Sequence, residues 1–250
     1  MLADLTDAIG ATLAEGPVAD RIEPESIENE LIRLCVVAGQ LDQLYRAYPF
    51  VIDKTPLLDG ERVVTIEQAC AQVPWFVIDE IHDQIRIAND GLGPLRAGMR
   101  TASCGMSFTG SGLIGGADAD LLVDGLLLDF KSTHAATTIT RADVYQLAGY
   151  TLLDFDDAHH IEQVGIYWTR HGVTRTFTLP TFFKLLGATA PIAELRTELR
   201  TELTAYQNGR RRALLARADH EHIPAPEQMQ LVEESRLRRT TRWLRGAIRR

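Results

Sequence analysis

Two periodicities of apolar residues divide the chain near residue 104. Before that point, apolar residues recur every three to four positions, as in segment 26–47 and in the run that follows Pro74. This spacing predicts amphipathic helices, with another at 65–73, so we expect the first hundred residues to be mostly helical. From Cys104 to Ser132, short β-compatible runs are separated by Gly-Gly and Asp-Gly. They predict three consecutive antiparallel strands.

The rest of the pattern predicts a helix, two strands and further helix. The helix covers about 140–155, and the strands lie in IEQVGIYWTR and VTRTFTL, joined by a turn at His171-Gly172. Beyond Pro180 the chain is predicted to be helical, with a polar break near QNGRRR and a loop at HIPAPEQ. We therefore predict an α/β (α+β) protein with a mostly helical N-terminal region at 1–103, a core at 104–190 and a helical C-terminal extension at 191–250.

Composition narrows the class of protein. A chain of 250 residues with 45% apolar content is long enough to bury a full core. No segment approaches the roughly 18 apolar residues of a membrane span, and the N-terminus lacks a basic-then-apolar signal pattern, so we expect a cytoplasmic protein without a membrane partner. Cys35, Cys70 and Cys104 show no zinc-ligand spacing. We expect buried, reduced thiols.

Charge is unevenly distributed. The net charge is −8, which argues weakly against a protein that coats nucleic acid, but residues 236–250 carry seven arginines and no acid. This basic tail is a candidate DNA contact through Arg238, Arg239, Arg242 and Arg245. Solubility, partner binding and disorder are alternative explanations for the same residues.

The most informative segment is the hairpin around Asp124-Gly125, a pair typical of a two-residue turn. Such a turn fixes a register in which Asp120 faces Asp129 and Asp118 faces Lys131. Because strand side chains alternate between faces, these charged residues share one face. The other face is entirely apolar and is predicted to be the core side. It comprises Ala119, Leu121, Val123, Leu126, Leu128 and Phe130.

Two carboxylates opposed across a hairpin require an explanation. At about 5 Å and an effective dielectric near 20, their repulsion costs roughly 3 kcal/mol. A divalent cation such as Mg²⁺ relieves this repulsion, because it prefers oxygen ligands and bridges protein carboxylates to substrate phosphates. Lys131 projects to the same face and is placed to hold a water or a phosphate oxygen. The alternative is that Asp118 pairs with Lys131 and the remaining acids are solvated.

These residues resemble the PD-(D/E)XK superfamily, with its restriction-endonuclease-like fold, and particularly its RecB-type branch. The resemblance covers about residues 106–170 and begins with Gly115-Gly116 and a strand aspartate. It continues with Asp129-Phe130-Lys131 and with Gln146 and Tyr150, which are four apart on one predicted helix. Alanine precedes both Asp118 and Asp120 where the family has proline, so either aspartate is a candidate ligand; the hairpin register favours Asp120.

The resemblance implies a mixed central sheet of about five strands flanked by helices, and hydrolysis of DNA phosphodiester bonds. Mg²⁺ (or Mn²⁺) would be held by Asp120 or Asp118, by Asp129 and by the Phe130 carbonyl, beside a catalytic Lys131. Gln146 and Tyr150 would approach the site or the DNA backbone. The family often adds a helix glutamate, for which Glu30 and Glu28 are candidates, although such residues are usually solvated.

Several functional alternatives remain at this stage. A catalytically silent DNA-binding or assembly subunit of the same fold is one, and a hydrolase of RNA or of a small phosphoester is another. Restriction, phage defence and DNA repair are all compatible with the resemblance. So are a homodimer and a subunit of a multiprotein complex.

Overall fold

The computed structural model describes residues 2–15, 25–47, 55–59, 62–135 and 138–218. The chain divides after Asp90 into two compact units. In the first unit, the elements in chain order are α1 (Leu2–Glu15), α2 (Glu25–Ala47), β1 (Leu58–Asp59), β2 (Arg62–Val63), α3 (Ile66–Ala71) and α4 (Trp75–Gly91).

Helices dominate the first unit, as predicted. A capping box at Thr65 and Gln68 begins α3, and Trp75 begins α4 directly after Pro74. One apolar cluster is built around Leu34 and Val37 of α2, and a separate one joins α2 to α4 through Ile32 and Ile78. The helices predicted at 26–47, at 65–73 and after Pro74 are therefore confirmed, and a short β1–β2 hairpin is added to them.

The second unit contains a five-stranded sheet and its flanking helices. Its elements are α5 (Gly93–Gly98), β3 (Ala102–Ser107), a 3-10 helix (Ser111–Ile114), β4 (Asp118–Val123), β5 (Leu126–Lys131), α6 (Arg141–Leu153), β6 (Gln163–Trp168), β7 (Val173–Thr178), α7 (Leu179–Leu185) and α8 (Ile192–Ala218).

The strands lie in the order β3-β4-β5-β6-β7. Neighbouring strands are antiparallel except β5 and β6, which are parallel and are connected through α6. A parallel pair needs such a crossover connection, and the helical pattern at 140–155 supplies it. The prediction of a mixed sheet of about five strands flanked by helices is thus confirmed.

Both faces of the hairpin β4–β5 are packed, which corrects the prediction of a single core face. The smaller cluster contains Val123, Leu126 and Leu128. The main core instead includes Leu127, whose side chain shares the predicted charged face, together with residues of α6, β6, α7 and α8. A central strand covered on both faces is apolar nearly throughout, and Leu126-Leu127-Leu128 is such a run.

The C-terminal helix also departs from the expected pattern. α8 continues through the predicted polar break at 207–212 as far as Ala218. Glutamine and arginine are good helix formers, and the single Gly209 costs only about 1 kcal/mol relative to alanine. The predicted loop at HIPAPEQ and the basic tail, with Arg238, Arg239, Arg242 and Arg245, lie outside the described residues.

Two further expectations concern thiols and membranes. All three cysteines are free, but Cys35 and Cys104 are exposed, so the expectation of burial is wrong for both. Cys104 lies on β3, an edge strand, which pairs only with β4 among the described strands. Among the described helices, none combines the length and the apolar character needed to cross a bilayer.

Candidate active site

The candidate site lies where β4 and β5 separate. The two strands pair from Val123 with Leu126 as far as Leu121 with Leu128, in the predicted register. The ladder ends one pair short of the predicted opposition of Asp120 to Asp129. Beyond that pair, the Phe130 backbone N–H donates to Asp120 Oδ2 at 2.6 Å. A carboxylate thus replaces the main-chain acceptor that a longer ladder would have provided.

Asp129 is the buried acid of this group. It is only 3% exposed, although it lies near the C-terminal end of β5. Its Oδ2 atom is 2.6 Å from Lys131 Nζ, but the contact lacks hydrogen-bond geometry, and within the described residues this oxygen has no hydrogen-bond partner. The ammonium of Lys131 therefore compensates the charge of this buried carboxylate through proximity rather than through a well-oriented hydrogen bond.

Lys131 links the strand to helix α6. Its Nζ atom donates to Gln146 Oε1 at 2.9 Å, and Gln146 Nε2 in turn donates to the Tyr150 hydroxyl at 2.6 Å. Gln146 and Tyr150 lie one helical turn apart, so both reach the same region of the sheet. The structure therefore brings together the DxK lysine and the predicted helical pair as one hydrogen-bonded chain.

Asp143 belongs to the same cluster, although the sequence analysis did not single it out. Its Oδ1 atom lies 3.5 Å from Lys131 Nζ, and its Oδ2 atom accepts hydrogen bonds from the Thr140 backbone N–H and hydroxyl. The Thr140 hydroxyl accepts from the Asp143 N–H, completing a capping box at the start of α6. The spacing Thr140-x-x-Asp143 was the available signal for this cap.

The two carboxyl groups that contact Lys131, those of Asp129 and Asp143, have pKa values shifted in opposite directions. Burial raises the pKa of Asp129, assisted by the charges of Asp120 and Asp143 and opposed by Lys131. The pKa of Asp143 is lowered, because hydrogen bonds from Thr140 and the charge of Lys131 outweigh the effect of burial. The folded environment therefore shifts the pKa values of these two carboxyl groups in opposite directions.

Tyr150 reports how closely the acids are grouped. Its pKa is raised to about 12, first by burial and then by the negative charges of Asp129, Asp120 and Asp118. All three carboxylates thus act on one phenol. Phe108, the residue that follows β3, stacks on the Tyr150 ring at a centroid separation of 5.5 Å.

The space beside Asp120 is open. Gly105 stands in β3 between the residues paired with Leu121 and Ala119, which is the position across from Asp120. It adopts φ +61, and a Cβ built there meets no atom within 4 Å. Glycine is suited to this left-handed backbone, and its lack of a side chain leaves the β3 side of Asp120 accessible.

The other residues predicted for the site are Phe130, Glu30 and Glu28. The Phe130 ring packs against Tyr167 at 5.3 Å, so the contribution of this residue to metal binding rests on its backbone carbonyl. Glu30 is exposed on α2 in the first unit, whereas Glu28 Oε2 lies 3.5 Å from His82 Nδ1. The role of a helix glutamate stays a prediction.

The site provides few strong metal-ligating side chains. The described part of the chain contains no group of three or more His, Cys, Asp or Glu side chains arranged to hold a metal ion. Asp120 and Asp129 offer two carboxylates, and the Asp129 Oδ2 atom lacks a hydrogen bond. Two carboxylates suit Mg²⁺, which usually retains waters and takes further oxygens from its substrate.

No protein-family model, curated protein or solved structure matches this chain.

Proposed function

We propose that this protein is a magnesium-dependent DNA nuclease of the PD-(D/E)XK type, similar to the RecB-type branch. The observation that carries this proposal is the Asp129 Oδ2 atom, which is buried beside Lys131 and accepts no hydrogen bond from the part of the chain that the structure describes. The resemblance implies a strand acid, a second strand with the DxK residues and then a helix. Asp120 on β4, Asp129 on β5 and the pair Gln146 and Tyr150 on α6 follow that order. Restriction, phage defence and DNA repair are each compatible settings.

In this proposal, Asp120 and Asp129 hold the metal, with Asp118 as the alternative to Asp120 and the Phe130 carbonyl as a further ligand. Mg²⁺ or Mn²⁺ at this position would polarise the scissile phosphate and lower the pKa of an attacking water. The N–H of Phe130 keeps the Asp120 carboxylate oriented, because it donates to one of its two oxygens. The other oxygen remains as a ligand.

Lys131 would hold the attacking water or a phosphate oxygen. Its ammonium group is oriented by Gln146 and Asp143, both on α6. When Asp129 binds a cation, these two α6 residues still hold Lys131 near the reacting phosphate. A fixed positive charge at that point stabilises the negative charge that develops during hydrolysis.

The experiment compares purified wild type with Asp129→Asn and Lys131→Met on plasmid and linear DNA, in Mg²⁺ and in Mn²⁺. Each substitution is expected to reduce cleavage by about 100-fold or more, as for loss of other groups that stabilise transition-state charge. Lys184→Met is the matched control, because Lys184 is an exposed lysine on α7 in the same unit. Absence of cleavage by wild type, or equal cleavage by all variants, would refute the proposal.

A second candidate function is a DNA-binding or assembly subunit that has this fold and does not cleave DNA. It is favoured by the ammonium of Lys131, which lies against the Asp129 oxygen that the first proposal gives to a metal. Calorimetric titration with Mg²⁺ or Mn²⁺ discriminates the two. If the protein is a nuclease, wild type should bind the metal and Asp120→Asn/Asp129→Asn should not. If it is a silent subunit, wild type should bind no more metal than this double variant.

A further inference from the structure

Helix α8 separates its charges along its length. Its first half carries Glu194, Glu198 and Glu202 interleaved with arginines. From Leu203 onward the helix contains no acidic residue, but it contains Arg210, Arg211 and Arg212 in direct succession. In a chain with a net charge of −8, this half is a local concentration of positive charge.

The arginines of the two halves differ in their surroundings. Arg196 is buried and lies 2.7 Å from Asp157, and Arg200 lies 3.4 Å from Asp156, so both are matched by acids of the loop after α6. Arg211 and Arg212 are exposed, and neither forms an ion pair within the described residues. Their charge is therefore available to an external anion.

The basic half of α8 lies toward the end of the sheet that carries the acids. Gln207 Nε2 donates to the carbonyl of Leu113 at 2.6 Å, which fixes α8 to the 3-10 helix. That helix joins β3 to β4 at the end where Ser107 pairs with Asp118. Arg210 and Arg211 follow Gln207 by three and four residues, so they lie on the same helix face about one turn, or roughly 5 Å, further along.

We propose that Arg210, Arg211 and Arg212 form a phosphate-binding surface that holds duplex DNA over the acidic site. This inference rests on the proposed function, since it takes DNA as the ligand. Guanidinium groups bind phosphate oxygens in a planar, bidentate manner, and three arginines within one helical turn concentrate positive charge that attracts a DNA backbone. They also supply the local attraction that an acidic protein needs in order to bring phosphates to carboxylates.

The test is fluorescence anisotropy of a labelled 30-base-pair duplex with the full chain in EDTA, where neither metal nor cleavage is required. Arg210→Gln/Arg211→Gln/Arg212→Gln should weaken binding at least tenfold at low salt. It should also reduce the slope of log K against log salt by about 2 to 3, as expected for loss of three phosphate contacts. Glutamine is a good helix former, so α8 is expected to persist, with circular dichroism as the check.

The matched control is Arg96→Gln/Arg100→Gln/Arg175→Gln, which removes the same charge from exposed positions elsewhere in the second unit. It should weaken binding less than threefold. Equal weakening by both triple variants, or unchanged binding by the α8 triple, would overturn the inference. Binding to vesicles rich in phosphatidylserine is measured with the same variants. If the α8 triple variant lost binding to these vesicles but kept its binding to the duplex, the ligand would be a membrane and the inference would be overturned.

This binding experiment also separates the inference from the proposed function. Duplex binding is measured in EDTA, where the proposed metal-dependent cleavage does not proceed, so its result does not depend on the outcome of the cleavage assay. If the protein binds DNA through α8 but does not cleave it, the phosphate-binding surface is supported and the nuclease proposal is refuted. Failure of wild type to bind DNA would overturn the inference.

Discussion

Asp143 Oδ1 lies 3.5 Å from Lys131 Nζ, which connects the first turn of α6 to the end of β5. Lys131 therefore contacts two carboxylates, because Asp129 Oδ2 is 2.6 Å away on its other side. The two acids have opposite pKa shifts, so replacing each by its uncharged amide should change the pH dependence of stability in opposite directions.

Asp143→Asn should destabilise the protein at neutral pH. A carboxyl whose pKa is lowered by folding contributes stability above its unfolded pKa, near 3.8, and loses it as the pH falls through the lower folded value. The amide retains an acceptor for the Thr140 cap, so the loss is that of charge alone. We expect about 1 kcal/mol at pH 7, declining toward zero below pH 3.8, measured by urea unfolding.

Asp129→Asn should show the reverse dependence. Folding raises the pKa of Asp129, so its contribution is fully present below 3.8 and is lost as the pH rises through the folded pKa. The stability of the variant relative to wild type should therefore increase between pH 3.8 and neutrality. Urea unfolding across that range measures it, and a difference independent of pH would contradict the assigned shift.

Residue spacing alone was enough to predict part of this cluster. Strand alternation places Asp129 and Lys131 on one face, and a four-residue helical separation joins Gln146 to Tyr150. Asp143 was recognisable as a helix cap, but not as a partner of Lys131. Its contact depends on the path by which α6 crosses the sheet, which is a tertiary property that no local spacing encodes.

The same distinction explains the predictions that were wrong. An apolar run such as Leu126-Leu127-Leu128 indicates burial on both faces, yet strict alternation assigned the core to one face only. The helix predicted at 26–47 forms, but its last turn is not covered: Tyr45 is 87% exposed, because the core clusters of α2 involve residues nearer its middle. Periodicity locates an element well, but the neighbours of that element determine which of its residues are covered.

Asp120→Asn should separate catalysis from stability. The amide still offers an oxygen to the Phe130 N–H, so the free energy of unfolding should change by less than about 1 kcal/mol. If Asp120 is a metal ligand, nuclease activity should fall about 100-fold or more. Asp118→Asn is the control, with an expected loss of less than tenfold. A larger loss in Asp118→Asn would assign the strand ligand to Asp118.

Tyr150 should remain un-ionised where exposed tyrosines titrate. Its folded pKa of about 12 exceeds the ordinary tyrosine value of 10.0, so this residue contributes stability below pH 10 that is lost as the pH rises toward 12. In absorbance titrations at 295 nm, Tyr150→Phe should leave the tyrosinate signal at pH 10.5 unchanged. A loss of tyrosinate signal at that pH in Tyr150→Phe would contradict the burial of the Tyr150 hydroxyl.

Arg196 should be the arginine of α8 on which the fold depends most. Its Nε donates to the Thr151 carbonyl at 2.9 Å, and Nη2 lies 3.7 Å from the fully buried Asp154. Arg196→Met would leave that carboxylate with its backbone amide donors but no counter-charge, so we expect a loss of about 3 kcal/mol in urea unfolding. Arg200→Met removes an exposed pair with Asp156 and should cost less than about 1 kcal/mol. If the two variants were equally stable, the burial of Asp154 would require stabilisation by its amide hydrogen bonds alone, and α8 would be attached to α6 mainly through apolar contacts.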